Sequence, residues 1–163
     1  MLQRIQTLFL ALAAVGNLLT FVLPMWQFAE GDNLETLNGM QITAEVAGSE
    51  GLSAQSFTAN PFHIAFFALT ILVSLIILIT IFQFKDRKRQ IRLVTTATIL
   101  TLVEIVAFVL LSQRGPFLIG DFGGEGVVQI GFALPVVTVL LLWIARRRIQ
   151  ADEDLVRSID RIR

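Results

Sequence analysis

Glu104 stands inside the apolar stretch Thr101-Leu-Val-Glu-Ile-Val-Ala-Phe108, and a carboxyl group in such surroundings is the first place to look for chemistry. It lies about 13 residues beyond Ile91, or about 20 Å at about 1.5 Å per helical residue, slightly past the middle of an apolar layer about 30 Å thick. An ionised carboxylate at that depth costs at least about 2.5 kcal/mol, so the side chain must turn toward other helices and be protonated, hydrogen-bonded or hydrated. Counting the same distance along the first two apolar runs reaches Asn17 in the first and Thr70 to Ser74 in the second. These residues offer two chemistries. One is an interhelical hydrogen bond that fixes packing, typically worth about 0.6 to 2 kcal/mol; the other is a proton or cation site. With no second acid in the apolar runs to relay a charge, the hydrogen bond is the favoured reading and transport the alternative.

The other reactive residue types are sparse. His63 is the only histidine, one turn into the second apolar run, and a metal site needs about three protein ligands. Carboxylates such as Glu30 offer little help, so a capping or interfacial histidine is expected and no metal. Ser53, Ser56 and Ser112 have no base with an orienting partner in the pattern, so no catalytic residues and no enzyme are expected. Gly120-Asp-Phe-Gly-Gly-Glu-Gly126 has the look of a phosphate cradle, but Asp121 and Glu125 repel phosphate and no Lys-Ser/Thr follows. A turn is expected there, and no nucleotide or other cofactor. Cysteine is absent, which excludes disulfides, thiolate metal sites and a cysteine nucleophile.

The elements that must position these residues follow from composition. The chain has 163 residues, of which 55% are hydrophobic and 16% charged, with a mean hydropathy of +0.73. Soluble domains run at about 45 to 50% apolar and about 25% charged. The expected fold is therefore an all-α membrane protein forming one domain over residues 1–163, with four transmembrane helices in a bundle. The spans are read as about 5–26, 61–84, 91–112 and 127–145. Pro24 and Trp26 read as a helix stop and an interfacial aromatic closing the first span, and Pro61 opens the second. Pro135 inside the fourth is expected to bend it.

Formal net charge is zero, but the signs are segregated. Arg4 precedes the first span, Lys85, Arg87, Lys88, Arg89 and Arg92 join the second and third, and Arg146 to Arg148 follow the fourth. The opposite side holds Arg114 among Glu30, Asp32, Glu35, Glu45, Glu50, Asp121 and Glu125. By the positive-inside rule both termini and the Lys85 to Gln90 turn are expected in the cytoplasm. The position of the basic turn beside two spans accounts for its charge, so no nucleic acid is expected as a partner.

The first outer loop, 27–60, is too long to be structureless. Met40, Ile42, Ala44 and Val46 alternate with Gln41, Thr43 and Glu45, the period of a strand, and Gly48-Ser-Glu-Gly51 reads as a turn leading into a weaker returning strand over 52–58. A small β-hairpin lying over the outer helix ends is expected. Beyond Trp143, the tail over 146–163 is expected to be helical: Leu155, Ile159 and Ile162 share one face, with acids in the first turn and bases at the end. That face is a candidate cytoplasmic docking surface, either for the Lys85 to Gln90 turn or for a partner protein.

Met1-Leu-Gln-Arg-Ile-Gln-Thr7 at one end and Asp152-Glu-Asp-Leu-Val-Arg-Ser-Ile-Asp-Arg-Ile-Arg163 at the other, with the layout between them, resemble an uncharacterised family of small bacterial four-helix integral membrane proteins, a domain of unknown function. The resemblance implies bacterial origin and the inner membrane, and it carries no activity. The layout with a strand-bearing first outer loop is also similar to that of claudins, in architecture alone. The expected role is a non-enzymatic scaffold or accessory subunit of a membrane complex, partnered by the lipid bilayer and by protein through the tail or outer hairpin. The alternative is a small transporter or ion-coupled subunit that uses Glu104.

Overall fold

The structure, a computed structural model, describes residues 2–30, 33–38, 42–45, 53–56, 61–112 and 125–160. In chain order these form α1 (Leu2–Leu19), β1 (Trp26–Glu30), β2 (Asn33–Leu37), β3 (Ile42–Glu45), β4 (Ser53–Ser56), α2 (Pro61–Phe82), α3 (Arg87–Ser112), β5 (Glu125–Val128) and α4 (Ala133–Asp160). A short 3-10 turn, Ile130–Phe132, leads into α4.

The helix ends have local causes. α2 starts at Pro61, where the missing N–H would have no helical partner in any case. Asp86 caps α3: its carboxylate accepts from the Arg89 N–H at 3.1 Å, and its carbonyl accepts from the Gln90 N–H at 2.9 Å. α3 therefore begins at Arg87, four residues ahead of the expected start at Ile91. α1 ends at Leu19, but helix-like bonds carry the chain on to Leu23 before Pro24 stops it. Each helix packs on two neighbours, α1 on α2 and α4, and α3 on α2 and α4, so the four form a ring.

The ring has its polarity inverted relative to a soluble bundle. Leu8, Leu12, Val15, Ile71, Leu75, Ile99, Val103, Val106, Val136 and Leu140 are exposed, while Gln6, Asn17, Thr70, Ser74, Gln90, Thr101, Glu104 and Thr138 are buried. Among the described residues three stretches are long and apolar enough to cross a membrane, His63–Phe82, Arg87–Leu110 and Ile130–Val156, and α1 contributes the shorter apolar run Ile5–Leu19. By length and composition these helices suit the apolar layer of a membrane.

One end of the ring carries an antiparallel sheet of order β4-β3-β2-β1-β5. The expected hairpin is its far side: Glu45 pairs with Ser53 and Ile42 with Ser56, which centres the connection on Ser49. Ile42 also lies opposite Leu37, whose side chain is buried, so the register has the parity expected for that strand. Met40, Gln41, Val46 and the turn itself lie outside the described residues, as does the glycine-rich 113–124 stretch.

Four expectations need correction. The fold is mostly helical with four helices, as expected, but its small β element is more than a hairpin: the described strands form one five-stranded antiparallel sheet. Trp26 does not close a span over 5–26; it opens β1, and its ring lies over Gly126, where any Cβ would collide with it. Val127 does not open a span over 127–145, because Glu125 to Val128 pair with Trp26 to Ala29 and α4 starts only at Ala133. Pro135 is then in the first turn of α4, where no intrahelical donor is lost, so it opens the helix and does not bend it.

Candidate functional site: a buried polar cluster

Glu104 on α3 is fully buried at the middle of the ring. Its Oε1 accepts from the Thr70 hydroxyl of α2 at 2.6 Å. Thr70 sits on the buried face of α2 with Ser74 one turn on, whose hydroxyl donates to the Thr70 carbonyl at 2.9 Å. From α1, the Asn17 amide donates to Ser74 Oγ at 2.9 Å and to the Thr70 carbonyl at 3.2 Å. The four residues that depth counting singled out, Glu104, Asn17, Thr70 and Ser74, thus share one hydrogen-bonded network with Thr70 at its hub. Low surrounding polarity makes such bonds matter, because water does not compete for the same groups.

The network is incompletely satisfied. Asn17 Oδ1, Glu104 Oε2 and Thr138 Oγ1 are buried with no hydrogen-bond partner in the protein. Thr138 brings α4 to the same level: a Cβ on Gly16 would lie 3.2 Å from Thr138 Oγ1, so the absence of a side chain at Gly16 is what lets α4 approach beside Asn17. The Thr70 hydroxyl also lies 3.0 Å from the Phe66 carbonyl. It has one proton, so it serves either that carbonyl or Glu104.

Thr138 was missed by depth counting because Arg146 to Arg148 were read as the end of the fourth span. α4 runs through them to Asp160, and Gln6 near the start of α1 pairs with Asp152, about two turns further along. The signal available was a lone hydroxyl, Thr138, within Leu134-Pro-Val-Val-Thr-Val-Leu140.

Above and below, the cluster is bounded differently. Toward the sheet, one turn away on each helix, stand Phe66 and Phe108, ring centroids 5.8 Å apart, with Phe132 5.3 Å and Trp26 6.4 Å from Phe108. Beyond them His63 is buried, and its Nε2–H donates to the Asn38 carbonyl at 3.0 Å, tying α2 to the end of β2. His63 is thus a structural link, and Glu35 is buried in the same layer. Toward the tail, the core is apolar: Leu10, Ala13, Val73, Ile77, Val94, Ala97 and Leu142 among others.

At the tail end, Gln6 Nε2 donates to Asp152 Oδ2 at 2.9 Å and to the Arg148 carbonyl at 3.2 Å. Arg87 donates to the Asp152 carbonyl at 2.9 Å, so α4 beyond the arginine triplet lies against the Lys85 to Gln90 turn of its own chain. A surface groove there is lined by Lys88, Ile91, Arg92, Gln150, Glu153 and Asp154. Of the proposed docking face, Leu155 is exposed; the Ile159 side chain and Ile162 lie outside the described residues. The structure therefore docks the acidic part of the tail and leaves Leu155 uncovered. Ser112, the one serine of the three whose side chain is described, donates to the Val109 carbonyl at 2.8 Å. Among the described residues no group of three His, Asp or Glu side chains could hold a metal ion.

No curated protein matches this sequence. Residues 2–162 match the family described as a domain of unknown function, DUF4293, and since that match spans nearly the whole sequence, the chain belongs to this family.

Proposed function

We propose that the chain is a four-span protein of the bacterial inner membrane, with both termini and the Lys85 to Gln90 turn in the cytoplasm, and that it acts without enzymatic activity as a scaffold or accessory subunit of a membrane complex. The observation that carries this reading is the outer surface of the ring: apolar side chains outward along all four helices, a polar cluster buried among apolar ones inside, and a structured element at each end. α1 with its 18 residues is about 27 Å long, and the turns to Leu23 extend it to the thickness of a bilayer core, which supports four spans. The basic residues that join α2 to α3 and follow α4 support the orientation. The sheet and the exposed Leu155 and Val156 on α4 are the surfaces offered to partners.

The test has two arms. Cysteines placed at Ser49 and at Lys88 are expected to react from opposite sides of the inner membrane with an impermeant thiol reagent, Ser49 in intact cells with a permeable outer envelope and Lys88 only after lysis. Equal labelling overturns the orientation. Purification of the full chain in mild detergent is expected to bring down a stoichiometric membrane partner that is lost when 152–163 or the β3–β4 hairpin is removed; a chain that purifies alone overturns the scaffold reading.

A second reading, an ion-coupled subunit using Glu104, is favoured by one observation: three buried oxygens, on α1, α3 and α4, share a level and lack partners.

A further inference from the structure

We propose that Glu104 is the proton-binding group of a site built from all four helices, and that its proton exchanges with the sheet end of the ring past the Phe66–Phe108 layer. This deepens the second reading above and rests on it.

The argument begins with donors and acceptors. Both hydrogens of the Asn17 amide are used, on Ser74 and on the Thr70 carbonyl, and the Ser74 hydroxyl is used on that carbonyl too. What remains is two acceptors, Asn17 Oδ1 and Glu104 Oε2, and one hydroxyl, Thr138. An ionised Glu104 leaves two oxygens wanting hydrogens and a single hydroxyl to serve them. One added proton on Oε2 changes that balance, because it turns one of the two acceptors that want hydrogens into a donor. Asn17 and Glu104 are linked through the same residue, Thr70, one by its carbonyl and one by its hydroxyl.

A metal cation fits the site less well. Calcium and magnesium take about six to eight oxygens, and three uncommitted ones are too few. A proton needs one oxygen and one acceptor. No charged group of α1, α2 or α4 shares the level; among the described residues, His63 lies two turns along α2 beyond the aromatic layer, and Arg146 lies about two turns along α4 toward the tail.

The route follows from the two boundaries. On the sheet side a single aromatic layer, one turn thick, separates Glu104 from the His63–Asn38 layer. On the tail side, the polar links between helices include Gln6 to the Arg148 carbonyl, about 16 Å along α1, and Gln90 to the Thr80 carbonyl, about 20 Å along α3. The hydroxyls between, Thr101 and Thr80, are committed to carbonyls of their own helices at 2.8 and 2.7 Å. On release the Oε2–H bond breaks and the proton passes to water at the sheet end.

Infrared spectroscopy of the full chain in detergent tests this directly. A protonated-carboxyl C=O band is expected that grows as pH falls, shifts in D2O and is missing in Glu104→Gln. Exchange of that band into D2O is expected to speed up roughly tenfold or more in Phe108→Ala and to stay within about twofold in Leu142→Ala, since local opening at the sheet side controls access. If Glu104→Gln does not fold, Thr70→Val supplies the assignment: removing the donor to Oε1 must move the band without abolishing it, and an unmoved band overturns the site. A band that no Glu104 variant affects overturns the proton site. Faster exchange in Leu142→Ala with none in Phe108→Ala overturns the route. Failure of the membrane-spanning reading shows separately, as a chain that does not float with lipid vesicles.

Discussion

At the sheet end, Phe66, Phe108, Phe132 and Trp26 meet ring to ring, whereas at the tail end Gln6, Asp152, Arg87, Gln90 and the Thr80 carbonyl meet atom to atom. Ring contacts depend on area and tolerate small rotations; hydrogen bonds lose their value within a few tenths of an ångström and a few tens of degrees. The tail end therefore sets the register of α1 against α4 and of α2 against α3. Between α2 and α3 the sheet end meets through rings, while the His63 bond to the Asn38 carbonyl ties α2 to the sheet, and the polar cluster lies just beneath that layer.

The largest effect that separates the two ends is expected from Phe108→Ala. Its ring is 1% exposed and touches three others, so its loss should lower unfolding free energy by about 3 to 5 kcal/mol, read as earlier loss of helical circular dichroism on heating in detergent. A drop no larger than that of Phe82→Ala, at a side chain 76% exposed, would remove the aromatic layer from the account.

Asp152→Ala tests the other end. It leaves Gln6 buried without its carboxylate partner and should cost about 1 to 3 kcal/mol, while Asp152→Asn keeps an acceptor oxygen and should recover most of that. Equal losses in the same melting experiment would mean that charge, not the bond, holds α1 to α4.

A local effect of about 1 kcal/mol is expected from Asp86→Ala, through loss of the cap on α3. Faster hydrogen exchange at the Arg89 and Gln90 amides, with the melting point of the sheet end unchanged, is the result that keeps the two ends independent. The Asp86–Arg89 ion pair at 3.0 Å is solvent-exposed and adds little.

Between the ends, Glu104→Gln should be the mildest. The substituted amide still accepts from Thr70 and offers hydrogens where Oε2 has no partner, so stability should stay within about 1 kcal/mol of the parent. A loss as large as that of Phe108→Ala would show that the carboxyl group is held by more than the contacts described.

The cluster was legible because a membrane supplies a ruler: four polar residues in apolar runs of known length can be placed by depth, and Asn17, Thr70, Ser74 and Glu104 came together on that basis. The ruler failed for Thr138 because the arginine triplet is not the end of α4. The hairpin was legible from the alternation over 40–46. β2 was not, because Asn33-Leu-Glu-Thr-Leu37 buries Glu35 and so breaks the period from which a strand is read. β1 and β5 were hidden for a different reason: Trp26 and Val127 are apolar residues next to apolar helices, and hydropathy assigns such residues to the span unless pairing across about 100 residues of chain is known.

Because α4 is one unbroken helix from the turn after β5 to Asp160, the outermost strand of the sheet and the tail are the two ends of a single strut about 42 Å long. A helix of that length bows gently, with a radius of about 60 to 100 Å, but it does not stretch. A load applied at the start of α4 therefore moves Asp152 together with Thr138, and the 3-10 turn after β5 is where the sheet joins the strut.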